Sequence, residues 1–188
     1  MEYLDVVDTY GNPTGRIVSR DEAHRHAFLH RTAHVWIIRR RAGRMQVLLQ
    51  KRSHHKDSYP DQWDISSAGH IPAGESWGES AVRELREELG ISIPENRLTD
   101  IGCRRIDRDD IFHGEPFCDR QISKIFLLPL DLEEDSFVLQ KEELSEVRWY
   151  DLDSAIDDTR KGRLGTCLDA GELETVREAA LRSAGQVF

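Results

Sequence analysis

Cysteine is scarce in this chain of 188 residues. There are three, Cys103, Cys118 and Cys167, an odd number without CxxC spacing. That pattern excludes a disulfide framework or a zinc knuckle, and each cysteine reads as a small packing residue. Long apolar runs are missing too, since nothing approaches the ~18–20 residues a membrane span needs. The opening MEYLDVVDTYGNPTG carries acids and an early turn, so it does not read as a signal peptide. Positive charge is in deficit, with 26 Lys plus Arg against 35 Asp plus Glu and a formal net charge of −9. This argues against a nucleic-acid polymer as partner. It leaves room for a small phosphorylated substrate, because a metal ion can supply the missing positive charge. Internal repeats and low-complexity linkers are absent. These absences lead us to expect a soluble cytoplasmic protein with reduced thiols, no membrane partner and a single domain over 1–188.

What is present is patterned. Residues 3–8 alternate, and Gly11-Asn12-Pro13 with Gly15 marks turns, so a hairpin leads into Ile17-Val18. Residues 20–30 are polar and histidine-rich, a loop or short helix. Residues 32–40 (TAHVWIIRR) read as a strand, and Ala42-Gly43-Arg44 turns it into an antiparallel partner at 45–51 (MQVLLQK). Residues 53–61 read as a polar loop. One helix is strongly signalled. Ser76 with Glu79 forms a capping box, Ala81, Val82, Leu85 and Leu89 recur at helical spacing, and Gly90 is a natural stop. Residues 101–106, 122–130 and 147–150 read as further strands, and 152–156 and 172–181 as helices. Hairpins mixed with helices, without regular βα alternation, predict an α+β fold, an α/β/α sandwich around a mixed sheet. Residues 1–30 would be an N-terminal hairpin-and-loop extension. Residues 165–188 would be a C-terminal helix used for packing or a homodimer contact.

The chemistry concentrates in GHIPAGESWGESAVRELREELGI, residues 69–91. At roughly 100° per residue, Glu84, Glu87 and Glu88 share one helix face. Such a stack of carboxylates suits a hard divalent cation, although a solvated acidic face would carry the same residues. Arg83 can pair with Glu75 or Glu87 and hold that face in place. The wider spacing, Gly69, Glu75, Arg83-Glu84-Leu85, Glu87-Glu88, Gly90-Ile91, resembles the Nudix box GX5EX7REUXEEXGU at every fixed position. The resemblance implies a Nudix fold with a loop–helix–loop motif that binds Mg2+ or Mn2+ and a small-molecule diphosphate substrate. It implies Glu84, Glu87, Glu88 and the Gly69 carbonyl as metal ligands, with Glu75 and Arg83 as their supporting pair. Metal ions would neutralise the diphosphate and acidify a water that attacks phosphorus. The general base would be Glu84 or, on a distant loop, Glu115, Glu142 or Glu143. The implied activity is that of a diphosphohydrolase, a pyrophosphatase acting on a nucleoside diphosphate derivative, a nucleotide, or a similar substrate.

The flanks LHRTAHVWI, LLQKRSHHKDSYPDQWDISSAGH and EVRW resemble a Nudix subgroup akin to isopentenyl diphosphate isomerase, and the Nudix portion of certain plant proteins. Isomerase chemistry moves protons at carbon with a cysteine and a glutamate. Matching Trp63 and His70 to the isomerase pattern puts Ala68 at the cysteine, and the later-strand glutamate falls at Gln121. Neither can transfer the proton, so hydrolysis is favoured. A binding module that has lost catalysis would show a broken box, and this one is intact. His24, His30 and His70 resemble histidines that hold a second metal in the isomerase. The acidic residues that site needs on the later strand are not evident, so they read as loop or core histidines. Lys51, Arg52 and Lys56 could clamp a substrate phosphate. Trp36, Trp63 and Trp77 read as core in preference to base-stacking residues.

Overall fold

The chain opens with a two-stranded hairpin, β1 (Tyr3–Val7) and β2 (Pro13–Ser19), and a short helix, α1 (Arg20–Arg25). Then follow β3 (His30–Arg41), β4 (Arg44–Arg52), β5 (Trp63–Asp64), β6 (Ser67–His70) and the helix α2 (Trp77–Leu89). The second half adds β7 (Thr99–Phe112), β8 (Glu115–Pro129), β9 (Leu144–Asp151), α3 (Leu152–Arg160) and α4 (Ala170–Val187). The computed structural model describes residues 2–112 and 114–187, with the backbone alone at 115, 116 and 183–187. Among the described residues, no helix is long and apolar enough to cross a membrane.

The main sheet runs β5-β4-β3-β8-β7, with β6 also paired to β3 and β9 to β4. The β3–β8 pair is parallel and the rest are antiparallel, so the sheet is mixed. Its centre is covered on both sides, which is why β3 reads as a nearly continuous apolar run. Alternation sends Trp36, Ile38, Val47, Leu49 and Leu127 to one face, against Leu152, Ile156, Leu173 and Val176 of α3 and α4. Val35, Ile37, Leu48 and Leu128 face the other way, against Ala81, Leu85 and Leu89 of α2. Full burial of a leucine is worth roughly 1.5–3 kcal/mol, so these two layers fix the position of α2 on the sheet. Sandwich, mixed sheet and N-terminal hairpin agree with the expected architecture.

Two features depart from expectation. β7 and β8 form one long hairpin, with pairing that continues to Phe112 and Glu115. The outer part mixes charged residues with Ile106, Phe112 and Phe117 on one face and so lacks a regular hydrophobic period. It is tied by cross-strand charges instead, with Arg120 reaching Asp109 at 2.7 Å and Asp107 at 3.5 Å. The segment after the polar loop, which carries no strand signal of its own, forms the short strands β5 and β6. In β6 the pairing sets Thr32 opposite His70, Ala33 opposite Gly69 and His34 opposite Ala68.

Candidate functional site

The helix α2 begins as its sequence dictates. Ser76 Oγ accepts from the Glu79 amide at 3.2 Å, and Glu79 Oε2 accepts from the Ser76 amide at 3.0 Å. Gly90 closes the helix in the left-handed region at φ 70°. With Ala81, Leu85 and Leu89 packed under the sheet, Glu84, Glu87 and Glu88 line one cleft with Gly69, Gln50, Arg52, Lys56, His70 and Glu143. Arg83 binds Glu75 and Glu87 together: its Nε lies 3.4 Å from Glu75 Oε2, and its Nη1 donates to Glu84 Oε1 at 2.8 Å and Glu87 Oε2 at 3.2 Å. Ser80 Oγ donates to the same Glu75 oxygen at 2.8 Å. Glu88 is buried and accepts from Ser67 Oγ at 2.7 Å. A Cβ at position 69 would lie 2.4 Å from the Glu84 carboxyl carbon, so only glycine lets carboxylate and backbone meet there. Burial pushes Glu84 up to about 7, against the opposing pull of Arg83. Burial likewise pushes Glu88 up to about 8, against its Ser67 hydrogen bond.

The basic residues divide. Arg52 and Lys56 reach the cleft. Arg52 is braced by Asp64 at 2.9 Å and the Ser58 carbonyl at 2.8 Å, and Lys56 pairs with Glu143. Lys51 is not brought there. It precedes Arg52 on β4, and strand alternation points it to the other face. Of the distant acids, Glu143 lines the cleft and Glu142 does not; the Glu115 side chain lies outside the described residues.

A cavity of about 190 Å3 opens from the same cleft, sharing Arg20, Arg52, Lys56, Ala68, Gly69 and His70 with it. Ala68 and Gln121 both line it, as do Asp119, Arg108, Cys167, Asp169 and Glu172. His24 and His30 are buried, as the core reading expects, and one part of that reading needs correction, the want of an acid on the later strand. His24, His30 and His70 place ring nitrogens within 4.8 Å of one another, the one such set among the described residues. Asp119 of β8 faces them, 3.5 Å from His30 Nε2 and 3.8 Å from His24 Nε2. The acid missing from the sequence reading is therefore Asp119, two residues before Gln121, on the same side of β8. His30 Nε2 and Asp119 Oδ1 are both buried without a hydrogen-bond partner. Burial holds all three imidazoles below the ordinary range, His24 at about 3, so they are neutral nitrogen donors.

The cysteines also need correction. Cys103 is exposed because outer β7 has no covering layer. Cys167 lines the cavity, with Sγ 3.6 Å from the Trp63 carbonyl. The tryptophans agree with the core reading, Trp36 and Trp63 buried and Trp77 partly so. Sequence reasoning also passed over His34 and Glu172. A histidine two residues before a tryptophan on an apolar strand was the available signal.

A family profile described as NUDIX domain matches residues 28–168. The chain belongs to the Nudix family. Nudix hydrolase 3 of Arabidopsis thaliana is 44% identical over 151 residues, 79% of this chain and 19% of that protein. An uncharacterised Nudix hydrolase of Clostridium acetobutylicum is 38% identical over 143 residues, 76% of this chain and 66% of that one. The chain thus spans only part of the length of these relatives. An isopentenyl-diphosphate isomerase of Mycolicibacterium vanbaalenii is 35% identical over 89 residues, 45% of this chain and 48% of that protein. A crystal structure from Deinococcus radiodurans overlays with a TM-score of 0.66 at 21% identity, covering 94% of this chain and 98% of that one; that likeness is one of fold. The Nudix match leaves out α1 and α4, yet α1 supplies Arg20 and α4 supplies Glu172 to the cavity, and α1 also supplies His24 to the histidine cluster.

Proposed function

We propose that this Nudix protein is a metal-dependent diphosphohydrolase that cleaves the diphosphate linkage of a nucleoside diphosphate derivative by water attack at phosphorus. The observation that carries the reading is the complete box folded into one cleft, with Gly69, Glu84, Glu87 and Glu88 lining it together with Arg52 and Lys56. The residues fit a hard cation. The donors are all oxygen, which suits Mg2+ or Mn2+. Two of the carboxylates are buried beyond what their hydrogen bonds offset, as their raised pKa values show, and a cation would relieve that cost. When bound, the metal would supply charge neutralisation of the diphosphate and acidification of water.

The protein's own groups do the rest. Arg52 and Lys56 hold the phosphate oxygens as charge-assisted donors. Arg83 and Glu75 fix the acidic face. Glu84 takes the proton of the attacking water, with Glu143 the other carboxylate in reach of the cleft. The neutral His24, His30 and His70 with Asp119 form a nitrogen-rich second cation site, suited to Mn2+; the orphaned His30 Nε2 and Asp119 Oδ1 support it. Isomerase chemistry is disfavoured because Ala68 and Gln121 stand in the cavity where its proton-transfer groups would be. A panel of nucleoside diphosphates, nucleotide sugars, dinucleotides and prenyl diphosphates with Mg2+ or Mn2+ tests the reading. Phosphate release that collapses in Glu88→Gln, together with weaker metal binding by calorimetry, is expected. Metal binding equal to wild type in both Glu87→Gln and Glu88→Gln would leave α2 as a solvated acidic face.

A further inference from the structure

β3 sends His34 and Trp36 to the face of the sheet covered by α4. His34 sits directly opposite Ala68, one residue along β6 from Gly69 of the carboxylate cleft. Glu172 of α4 closes this end of the cavity from below. Its Oε1 accepts from Trp36 Nε1 at 2.8 Å and lies 2.8 Å from His34 Nδ1. Its Oε2 lies 3.6 Å from Arg104, which pairs with Asp169 at 2.7 Å. His34 is 6% exposed and Glu172 3%. Nδ1 is committed to Glu172; among the described residues no hydrogen bond to His34 Nε2 is seen, and the ring lines the cavity.

We propose that this inner end of the cavity is a subsite for a polyhydroxylated group, the sugar of the substrate, with His34, fixed by Glu172, as the specificity-determining residue. The proposal rests on the diphosphohydrolase reading, because Arg52, Lys56, Gly69 and His70 line both spaces. A diphosphate held in the cleft therefore projects its organic group inward past Ala68. The wall there mixes donors and acceptors: His34 and Arg108 beside Asp64, Asp169 and Glu172. Nε2 is an acceptor when His34 is neutral and a donor when it is charged, and a hydroxyl satisfies either state. A hydrocarbon chain would leave that buried nitrogen unpaired, a cost such a site uses to reject its ligand. Where the isomerase pattern has a cysteine, the Ala68 methyl leaves the space open above His34.

The test compares two diphosphates that differ in the organic group, ADP-ribose and isopentenyl diphosphate, with Mg2+. In His34→Leu the ratio of kcat/KM for ADP-ribose over isopentenyl diphosphate falls about tenfold, the scale of one hydrogen bond to a charged group. The loss sits in the KM for ADP-ribose, as expected for a binding contact. Glu172→Gln, which keeps an acceptor for Trp36, gives a smaller fall. An unaltered ratio, with both compounds losing rate alike, overturns the subsite and leaves His34 as a fold residue. Because a substitution this deeply buried can unfold the chain, 15N NMR of the wild-type imidazoles is the second measurement. ADP-ribose added with Ca2+ shifts the His34 Nε2 signal and isopentenyl diphosphate does not. No shift with ADP-ribose also overturns the proposal. Absence of turnover with either compound would leave the NMR shift to decide the subsite, whereas absence across the whole substrate panel would remove the hydrolase reading. Turnover of both compounds with neither a shift nor a change in ratio would leave hydrolysis standing without it.

Discussion

Glu84 and Glu88 are carboxylates that folding takes out of water, and burial holds their protons to about 7 and about 8. A divalent cation bound between them would lower both, so the proton transfer assigned to Glu84 rests on its place in the cleft. Glu84→Gln is expected to lower kcat by about 10²–10⁴-fold, measured with saturating Mg2+. A smaller drop moves the base to Glu143. The histidine cluster makes a different prediction. His24, His30 and His70 are held neutral by burial, His24 down to about 3. Below pH 6.5 the unfolded chain takes up protons that the folded state refuses, so each contributes a loss of stability as pH falls. Glu84 and Glu88 act in the opposite direction between about 4.5 and 8, so the histidine part is read by difference. In EDTA, His24→Asn should lose about 2 kcal/mol less than wild type between pH 6.5 and 4.5 by urea unfolding. Equal losses would mean that His24 titrates as in water. At this scale the sequence was legible where a spacing carried the signal, as for Arg83 with Glu75 and Glu87. It was silent where partners come from distant strands. Asp119 and Glu172 meet His30 and His34 across 89 and 138 residues of chain, and nothing local to either residue announces the partner.

The element that positions the box loop comes from outside the span matched by the family. β1 hands the Tyr3 carbonyl to the Ala73 amide at 2.9 Å, and Asp5 Oδ2 accepts from the Gly74 amide at 2.9 Å and from Arg31 Nη2 at 3.0 Å. Arg31 in turn donates to the Glu75 carbonyl at 3.0 Å. Asp5 and Arg31 are each 7% exposed. Removing one partner of a buried pair strands the other charge, at about 3–5 kcal/mol. Asp5→Ala should therefore lower the thermal midpoint by roughly 6–20 °C at 2–4 °C per kcal/mol. A shift under about 2 °C would mean that the hairpin is not a clamp. The hairpin was readable from Gly11-Asn12-Pro13, and α2 from its capping box and Gly90. The clamp was not, because a lone Asp in an alternating strand looks like any solvent-facing residue. The full reach of β7 and β8 was hidden for a related reason: outer strands held by Arg120 with Asp107 and Asp109 have no apolar period to read.

At the scale of the molecule, one sheet separates two layers that meet at β6. α2 brings carboxylates to Gly69 from one side, and the α3–α4 layer closes the cavity beneath Ala68 from the other. An isopentenyl-diphosphate isomerase is similar to this chain over 89 residues, so the distinction between the two chemistries is drawn at single positions. Ala68 has no proton to give and Gln121 does not titrate. Cys167 does line the cavity, but burial raises its thiol far above the usual range, which leaves no thiolate to accept a proton. In heavy water, isopentenyl diphosphate should gain no deuterium at carbon; enzyme-dependent exchange would reassign the site. The most direct test of the account is turnover of ADP-ribose with Mg2+ in oxygen-18 water. Water attack at phosphorus predicts one labelled oxygen in a phosphate product and none in the ribose carbon–oxygen bond. Label at carbon, or no Mg2+-dependent turnover across the substrate panel, would contradict it.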